Sequence, residues 1–477
     1  MADAKQGGEA ETEPKELPLR KTTSASAKLS ITPDAGLADR MAALSSPCFM
    51  HTNFEGSVNF GKVVQEAAES HSRLMQTATT VREVSRQLQR HPVRMTVRNI
   101  MIVTKARDNE LVHLTRELAE WLLTTPRNGS DLGVNVYVDQ KLRNSKRFNV
   151  QTLLAKDSRI EGMLRFWTPD MCWESPEQFD LVLTLGGDGT VLYTSWLFQR
   201  IVPPVLSFSL GSLGFLTNFE FAQYKESLGR IMNNNEMRVN IRMRFTCTVF
   251  RYQKHAGPNA PEYIEAEQWE VLNELVIDRG PSPYVSNLEL YGDDNLITVV
   301  QADGCIFSTP TGSTAYSLSA GGALVHPDIP AILLTPICPH TLSFRPMLLN
   351  DSMLLRVAVP RHSRATAYCA FDGKGRVELR QGDHVTIAAS QYPFPSVVSK
   401  PMEWFDSISR TLRWNNRGAQ QKGWDGDTME DENGEAETGF DIDFDNEDGD
   451  SGYSAESSTA GGGHDSPIRK GVSVPFP

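Results

Sequence analysis

The run Leu181-Val182-Leu183-Thr184-Leu185 passes with no intervening loop into Gly186-Gly187-Asp188-Gly189-Thr190. Val191, Leu192, Trp196 and Leu197 then follow in a helix-like run. A buried strand that turns through glycines straight into a helix commits this part of the chain to α/β architecture. Glycines let the backbone turn sharply and leave its N–H groups uncovered. The start of the next helix adds the positive end of a dipole, and the two together make a cradle for phosphate. Asp188 is the carboxylate inside that cradle. It repels phosphate, so its expected role is chemical: a general base on a hydroxyl, or a hold on a hydrated cation. The structural alternative is a tight turn with Asp188 as helix cap. The chain carries no G-x-x-x-x-G-K-[ST], no G-x-G-x-x-G after a strand and no H-R-D/D-F-G pair, so three familiar nucleotide schemes do not apply.

The flanking pattern extends this unit. Ile100-Met101-Ile102-Val103 reads as a buried strand. Leu111, Leu114, Leu118, Trp121 and Leu122 have helical spacing, and Pro126 ends that helix. Val134, Val136 and Val138 alternate as a strand, and Val205–Leu210 supplies another. From about 239 the texture changes to short β-type runs parted by turn signals such as Gly280-Pro281, Asp372-Gly373 and Gly382-Asp383. The expected fold is an α/β N-terminal domain with a mainly parallel sheet, followed by an all-β, sandwich-like domain, with disordered N- and C-terminal tails. The expected divisions are a tail over 1–60, a helical lead-in over 61–95, the α/β domain over 96–238 and the β-rich domain over 239–400. A helix over 401–417 is expected to pack back on the body, with an acidic tail over 418–477.

A length of 477 residues asks for more than one core. The formal charge of -12 is a property of one end: residues 420–477 hold 15 acidic and 3 basic side chains, while 1–419 hold 44 of each. A balanced body offers no basic excess to nucleic acid or to an anionic membrane. No stretch of about 18 apolar residues occurs, so no membrane-spanning helix is expected. Six scattered cysteines without a C-x-x-C pair read as reduced thiols. Together with an acid-containing N-terminus that lacks an apolar signal core, this points to the cytoplasm, with the nucleus as a second location. Arg20-Lys21 ahead of Thr22, Thr23 and Ser24 suits a basophilic protein kinase acting near Ser24; the plain alternative is a solvated tail.

Two further clusters carry chemistry. In the β-type run Trp269–Asp278, adjacent Asn273 and Glu274 interrupt apolar neighbours. At a strand end or bulge both could line a site, Glu274 for ribose hydroxyls and Asn273 for a base edge; otherwise they are a solvent-facing pair. The segment from Asp303-Gly304 through Ser308-Thr309-Pro310-Thr311-Gly312-Ser313-Thr314-Ala315-Tyr316-Ser317-Leu318-Ser319 is dense in hydroxyls and small residues. A helix is expected to begin near Ser313, and Tyr316 could stack on a ring.

Gly186–Thr190, Asn273-Glu274, Asp303-Gly304 and Ser308–Tyr316, in this order and spacing, resemble the NAD kinases. Leu210–Thr217, Val276–Ser282 and Thr335–Pro346 are similar to the eukaryotic cytosolic type, within the wider set of diacylglycerol kinase-like and phosphofructokinase-like enzymes. The likeness spans about 96–415. It implies transfer of the γ-phosphoryl of ATP to the adenosine ribose 2′-hydroxyl of NAD, giving NADP, with Mg²⁺ as divalent metal; NADH stays open as a further acceptor, and the metal ligands stay unassigned. The residue roles it implies are Asp188 as base and Gly187 and Gly189 as phosphate turn. Phe215 would be a pocket wall, Asn273 and Glu274 would hold the adenine and ribose region, and Asp303 would sit at the nicotinamide side. Thr311, Thr314, Ala315, Tyr316, Ser317 and Ser319 would line the dinucleotide pocket. His340 is expected to be a buried structural histidine. The resemblance also implies a homo-oligomer with small-molecule partners, neither nucleic acid nor membrane. A lipid kinase would lack the Asn-Glu and Thr-Pro-Thr-Gly-Ser-Thr-Ala-Tyr cluster, and a non-catalytic NAD sensor would not need Asp188.

Overall fold

The computed structural model describes residues 95–414 apart from 128, 212, 235–236, 255–260 and 401. The expected tails over 1–60 and 418–477, the site near Ser24 and the lead-in up to 94 lie outside the described residues.

The first layer contains β1 (Asn99–Thr104), β2 (Asn135–Asp139), β3 (Leu164–Trp167), β4 (Leu181–Leu185), β5 (Val205–Ser209), β6 (Phe219–Glu220) and β7 (Val239–Arg242). Interspersed are α1 (Asn109–Thr124), α2 (Val150–Leu154), α3 (Pro169–Glu174), α4 (Asp188–Leu197) and α5 (Tyr224–Asn234). Strands β1 to β6 pair in parallel. β4 and β5 are buried along their whole length, as expected of strands covered on both faces. The period-2 rule sorts the apolar run of β1: Ile100 and Ile102 join one core with Leu118 and Leu122 of α1, while Met101 and Val103 join another with Val191 and Leu197 of α4.

The second part is two six-stranded antiparallel sheets. It uses β8 (Phe245–Tyr252), β9 (Tyr263–Val271), β10 (Glu274–Asp278), β11 (Ser286–Gly292), β12 (Asn295–Ala302), β13 (Gly304–Ser308), β14 (Ala331–Ile337), β15 (Met347–Asn350), β16 (Leu355–Ala358), β17 (Ala367–Phe371), β18 (Lys374–Leu379) and β19 (His384–Ala389). Their orders are β15-β14-β13-β10-β17-β18 and β12-β11-β16-β19-β8-β9. One core fills the space between them, with Leu275, Ile277 and Phe307 from the first sheet and Cys247, Leu288 and Ile387 from the second, which makes a sandwich. The expected α/β-then-β class holds.

Two details depart from the linear reading. Trp269–Asp278 is not one strand: β9 ends at Val271 in one sheet and β10 begins at Glu274 in the other. In addition, the first layer is not confined to 96–238. β20 (Phe394–Val397) returns from the far end of the chain and lies between β5 and β7, parallel to the one and antiparallel to the other. Between β14 and the turn before it lies α6 (Tyr316–Ser319), and α7 (Glu403–Leu412) closes the described chain. Trp404 and Phe405 of α7 pack on His326 at 4.8 and 5.6 Å between ring centroids, and buried Glu403 faces buried Arg242 at 4.0 Å.

Candidate active site

The glycine turn sits at the carboxyl end of β4. Gly186 has φ +154°, and a Cβ there would come 2.2 Å from Thr190 Oγ1, so no other residue fits. Gly187 and Gly189 are exposed and Asp188 is half-buried at the first turn of α4. Its carboxylate does not cap its own helix. Oδ2 accepts the Phe215 N–H at 2.9 Å; Oδ1 accepts the Leu216 and Thr217 N–H groups at 3.0 and 3.1 Å and the Thr217 hydroxyl at 3.0 Å. Asp188 therefore ties the start of α4 to the Phe215–Thr217 loop, which sets Phe215 beside the turn. Gly214 permits the approach: a Cβ there would lie 2.2 Å from Asp188 Oδ1.

The far end of α4 is tied as well. Arg244, fully buried, donates to the carbonyls of Ser195, Phe198 and Arg200 at 3.3, 2.7 and 2.9 Å and to that of Tyr392 at 2.6 Å. Burial pushes its guanidinium down to about 10. The cation thus meets the unsatisfied carbonyl end of the helix.

Asn273 and Glu274 stand where the chain leaves one sheet for the other. Asp372, half-buried in the β17–β18 turn, holds that crossing by accepting the N–H groups of Leu272, Asn273 and Glu274 at 2.8, 2.7 and 3.0 Å. Three consecutive N–H groups on one carboxylate cannot alternate as a strand requires, which is why the β-type run breaks here. Opposite lies the 308–316 turn. Thr309 N–H donates to the Asn273 carbonyl at 2.9 Å, the Thr309 hydroxyl to the Leu272 carbonyl at 2.6 Å, and a Cβ on Gly312 would lie 2.2 Å from the Asn273 carbonyl oxygen. Asn273 and Glu274 are each 8% exposed, yet Asn273 Oδ1 and Glu274 Oε2 find no hydrogen-bond partner in the protein. Burial first, then the neighbouring Asp372 charge, push the Glu274 carboxyl up to about 8. Two unpartnered acceptors in a buried position mark a seat for a polar ligand.

The other expected residues divide. Thr311 is buried, Thr314 and Ala315 are half-buried, and Tyr316 and Ser319 are exposed at the lip. Ser317 points inward, its hydroxyl 2.8 Å from that of Thr335, and braces the segment. Asp303 is not brought to Glu274: Glu274 pairs with Ser308 but Asp278 with Gly304, so Asp303 lies beyond the other end of β10, about 17 Å along the strand. There it binds Arg279 Nε at 2.8 Å. His340, expected buried, is exposed on the loop after β14, where its backbone N–H donates to the Gln301 carbonyl at 2.9 Å. Sequence reasoning missed Asp372 and Arg244 as site supports. An Asp-Gly pair signals a hairpin turn, and an arginine opening a β run signals nothing about carbonyls over forty residues away.

An α/β layer with a phosphate-type glycine turn, joined to a sandwich that holds a buried polar seat, defines a nucleotide phosphotransferase architecture. Comparison with known proteins agrees. The ATP-NAD kinase N-terminal domain matches residues 100–237 and the ATP-NAD kinase C-terminal domain residues 272–399. A Saccharomyces cerevisiae NAD(+) kinase is 51% identical over 371 residues, covering 76% of this chain and 69% of its own. An ATP-NADH kinase of the same yeast is 46% identical, covering 75% and 72%. The crystal structure of yeast NADH kinase complexed with NADH superposes with a TM-score of 0.55 at 28% identity, over 69% of this chain and 91% of that one. The chain belongs to the ATP-NAD kinase family.

Proposed function

We propose that this chain transfers the γ-phosphoryl of ATP to the 2′-hydroxyl of the adenosine ribose of NAD, giving NADP and ADP. The observation that carries this reading is the pair of buried, unpartnered oxygens on Asn273 and Glu274. An adenosine supplies donors for both, its amine for the amide oxygen and its ribose hydroxyls for the carboxylate. Tyr316 at the lip would stack on a ring of the same ligand, beside Thr311, Thr314 and Ala315. Phosphoryl transfer asks mainly for position and charge stabilisation. The exposed Gly187 and Gly189 backbone would turn N–H groups to the phosphate oxygens. Asp188 Oδ2, which has one hydrogen-bond partner, would take the 2′-hydroxyl proton as the bond from that oxygen to phosphorus forms and the bond to the ADP oxygen breaks. The same negative charge would repel a 2′-phosphate, so NADP is refused as acceptor.

Mg²⁺ carried by ATP would neutralise phosphate charge. No cluster of three or more His, Cys, Asp or Glu side chains forms a cage among the described residues. That fits an ion that keeps its waters and touches one or two carboxylates, and Asp188 is the acid of the turn that would face its water shell. NADH serves as a second acceptor in this reading, because ring reduction is remote from the 2′-hydroxyl and two of the similar proteins are named for NADH. A homo-oligomer is supported by the apolar residues exposed on β12. The eukaryotic cytosolic type, the kinship with lipid kinases and phosphofructokinases, a cytoplasmic or nuclear location and phosphorylation near Ser24 complete the proposal. No helix among the described residues is long and apolar enough to cross a membrane.

A coupled NADP assay with ATP, Mg²⁺ and NAD tests the reaction, and Asp188→Asn tests the base. Turnover is expected to fall by about 10²–10⁴. Near-normal NADP formation by that variant would remove Asp188 from the chemistry, and binding of NAD without turnover by the unaltered chain would make it a sensor.

A further inference from the structure

Strand β7 passes along the flank of α4. Val239 and Ile241 join the core beneath α1, so Asn240 and Arg242 face the other side of the sheet, which is the side of α4. Phe394, the β20 partner of Arg242, lies in the core of that side with Val191 and Leu197 of α4. β4 runs up to the glycine turn and α4 leads back from it. β7, antiparallel to β20, runs back in the same sense and reaches Arg244 at the carbonyl end of α4. Arg242 therefore stands two residues, about 7 Å, nearer to the turn than Arg244 does.

Its surroundings leave this cation incompletely matched. Arg242 is 5% exposed. Nε donates to Ser396 Oγ at 3.0 Å. Nη2 stands 4.0 Å from Glu403 Oε1, beyond hydrogen-bond length, and that oxygen has no partner of its own. Glu403 is held elsewhere: its Oε2 accepts the N–H and the hydroxyl of Ser399 at 3.0 and 3.2 Å. Burial lowers the Arg242 guanidinium, and the charges of Glu403, Asp188 and Asp328, in that order, act against it. Nη1 and Nη2 thus make no hydrogen bond among the described residues, on the side of the sheet where Asp188 opens α4. A buried guanidinium with so loose a counter-ion is costly unless an anion completes it. Its planar fork of donors matches the oxygens of a phosphate. In the reaction proposed above, the group that comes to Asp188 as an anion is the phosphoryl arriving on the 2′-oxygen.

We propose that Arg242 is a catalytic residue: Nη1 and Nη2 donate to the oxygens of the phosphoryl group as it passes from ATP to the 2′-oxygen, and then hold the 2′-phosphate of NADP. The bond from the 2′-oxygen to phosphorus forms, the bond to the ADP oxygen breaks, the hydroxyl proton goes to Asp188, and Arg242 stays protonated throughout. The assignment rests on reading the chain as an NAD kinase. It adds to that reading the cation that offsets Asp188, whose charge alone would drive the new phosphate away.

The test is the double variant Arg242→Met with Glu403→Met, which removes both charges of the buried pair and keeps its volume, a change that folded proteins tolerate. Urea denaturation checks that it folds. Its kcat for NADP formation is expected to fall by about 10²–10³, the scale of a lost oxyanion donor, with the KM for NAD in place. Calorimetric binding of NADP is expected to weaken by about tenfold or more while that of NAD holds. Glu403→Gln alone, which keeps Arg242, is expected to leave kcat near that of the unaltered chain. Near-normal kcat in the folded double variant would overturn the proposal. So would equal weakening of NAD and NADP, or a loss in Glu403→Gln as large as in the double variant. Arg242→Lys decides if the double variant does not fold: it keeps the charge and loses the fork, so kcat is expected to fall about tenfold at constant KM for NAD, and an unchanged kcat would overturn the assignment. Should the unaltered chain bind both dinucleotides without turnover, the reaction falls, and the comparison of NADP with NAD still decides on Arg242.

Discussion

At Glu274 stability and ligand binding pull in opposite directions. The folded protein keeps a proton on this buried carboxyl that the unfolded chain releases near 4.5. Stability therefore declines as pH rises from about there through about 8, by an amount on the order of a few kcal/mol. Glu274→Gln, which carries no ionisable group, is expected to melt higher than the unaltered chain, with an advantage that grows from pH 5 to pH 9, and to bind NAD more weakly. Melting curves at three pH values check the first part and the KM for NAD the second. Ribose hydroxyls donating to Glu274 favour its charged form, so NAD binding at pH 7 is expected to release protons; calorimetry in buffers of different ionisation enthalpy reads that number directly. The sequence displays Asn273 and Glu274 as polar neighbours inside an apolar run, which is enough to suspect them. It does not display Asp372 as their holder, because that link joins residues about 100 positions apart.

At the scale of the element, α4 is a helix pinned at both ends, by Asp188 to the Phe215–Thr217 loop and by Arg244 at its carbonyls. Gly214→Ala places a methyl against Asp188 and is expected to push the loop away. NADP formation should fall at least tenfold, with a stability loss of about 1–3 kcal/mol. Assay and urea denaturation on the same preparation separate the two effects. Arg244→Met takes one donor from each of four carbonyls, of which that of Ser195 keeps Gln199 Nε2, and is expected to cost about 3 kcal/mol or more in denaturation experiments. α1, α4 and the parallel strands β1, β2, β4 and β5 were legible because their apolar periods are local, whereas the short β3 and β6 carry too few residues to show a period. The change of sheet at Leu272-Asn273 was not, since every residue there is compatible with a continuing strand and the decision falls to a distant carboxylate.

For the whole molecule, the exposed apolar side chains of β12 are the surface to test. Leu296, Ile297 and Val299 are 55, 42 and 45% exposed on the edge strand of their sheet. An apolar edge of this kind invites pairing with a further chain. The proposed homo-oligomer predicts a mass above that of a single chain for the unaltered protein and a single-chain mass when Leu296 and Val299 are replaced by Lys, as read by sedimentation. The sheet that contains the glycine turn has a different demand, made in time. β20 fills the slot between β5 and β7, but it emerges from the ribosome some 150 residues after β7. Until then the nascent first layer carries a gap with open strand edges, and all twelve strands of the sandwich are made during that wait. Synthesis that stops between Ala389 and Phe394 therefore supplies every strand of the sandwich and still leaves the first layer unfinished. A gene spliced between two relatives at the point where the texture of the sequence changes would have to find, in each hybrid, a late strand from one parent that fits a slot built by the other.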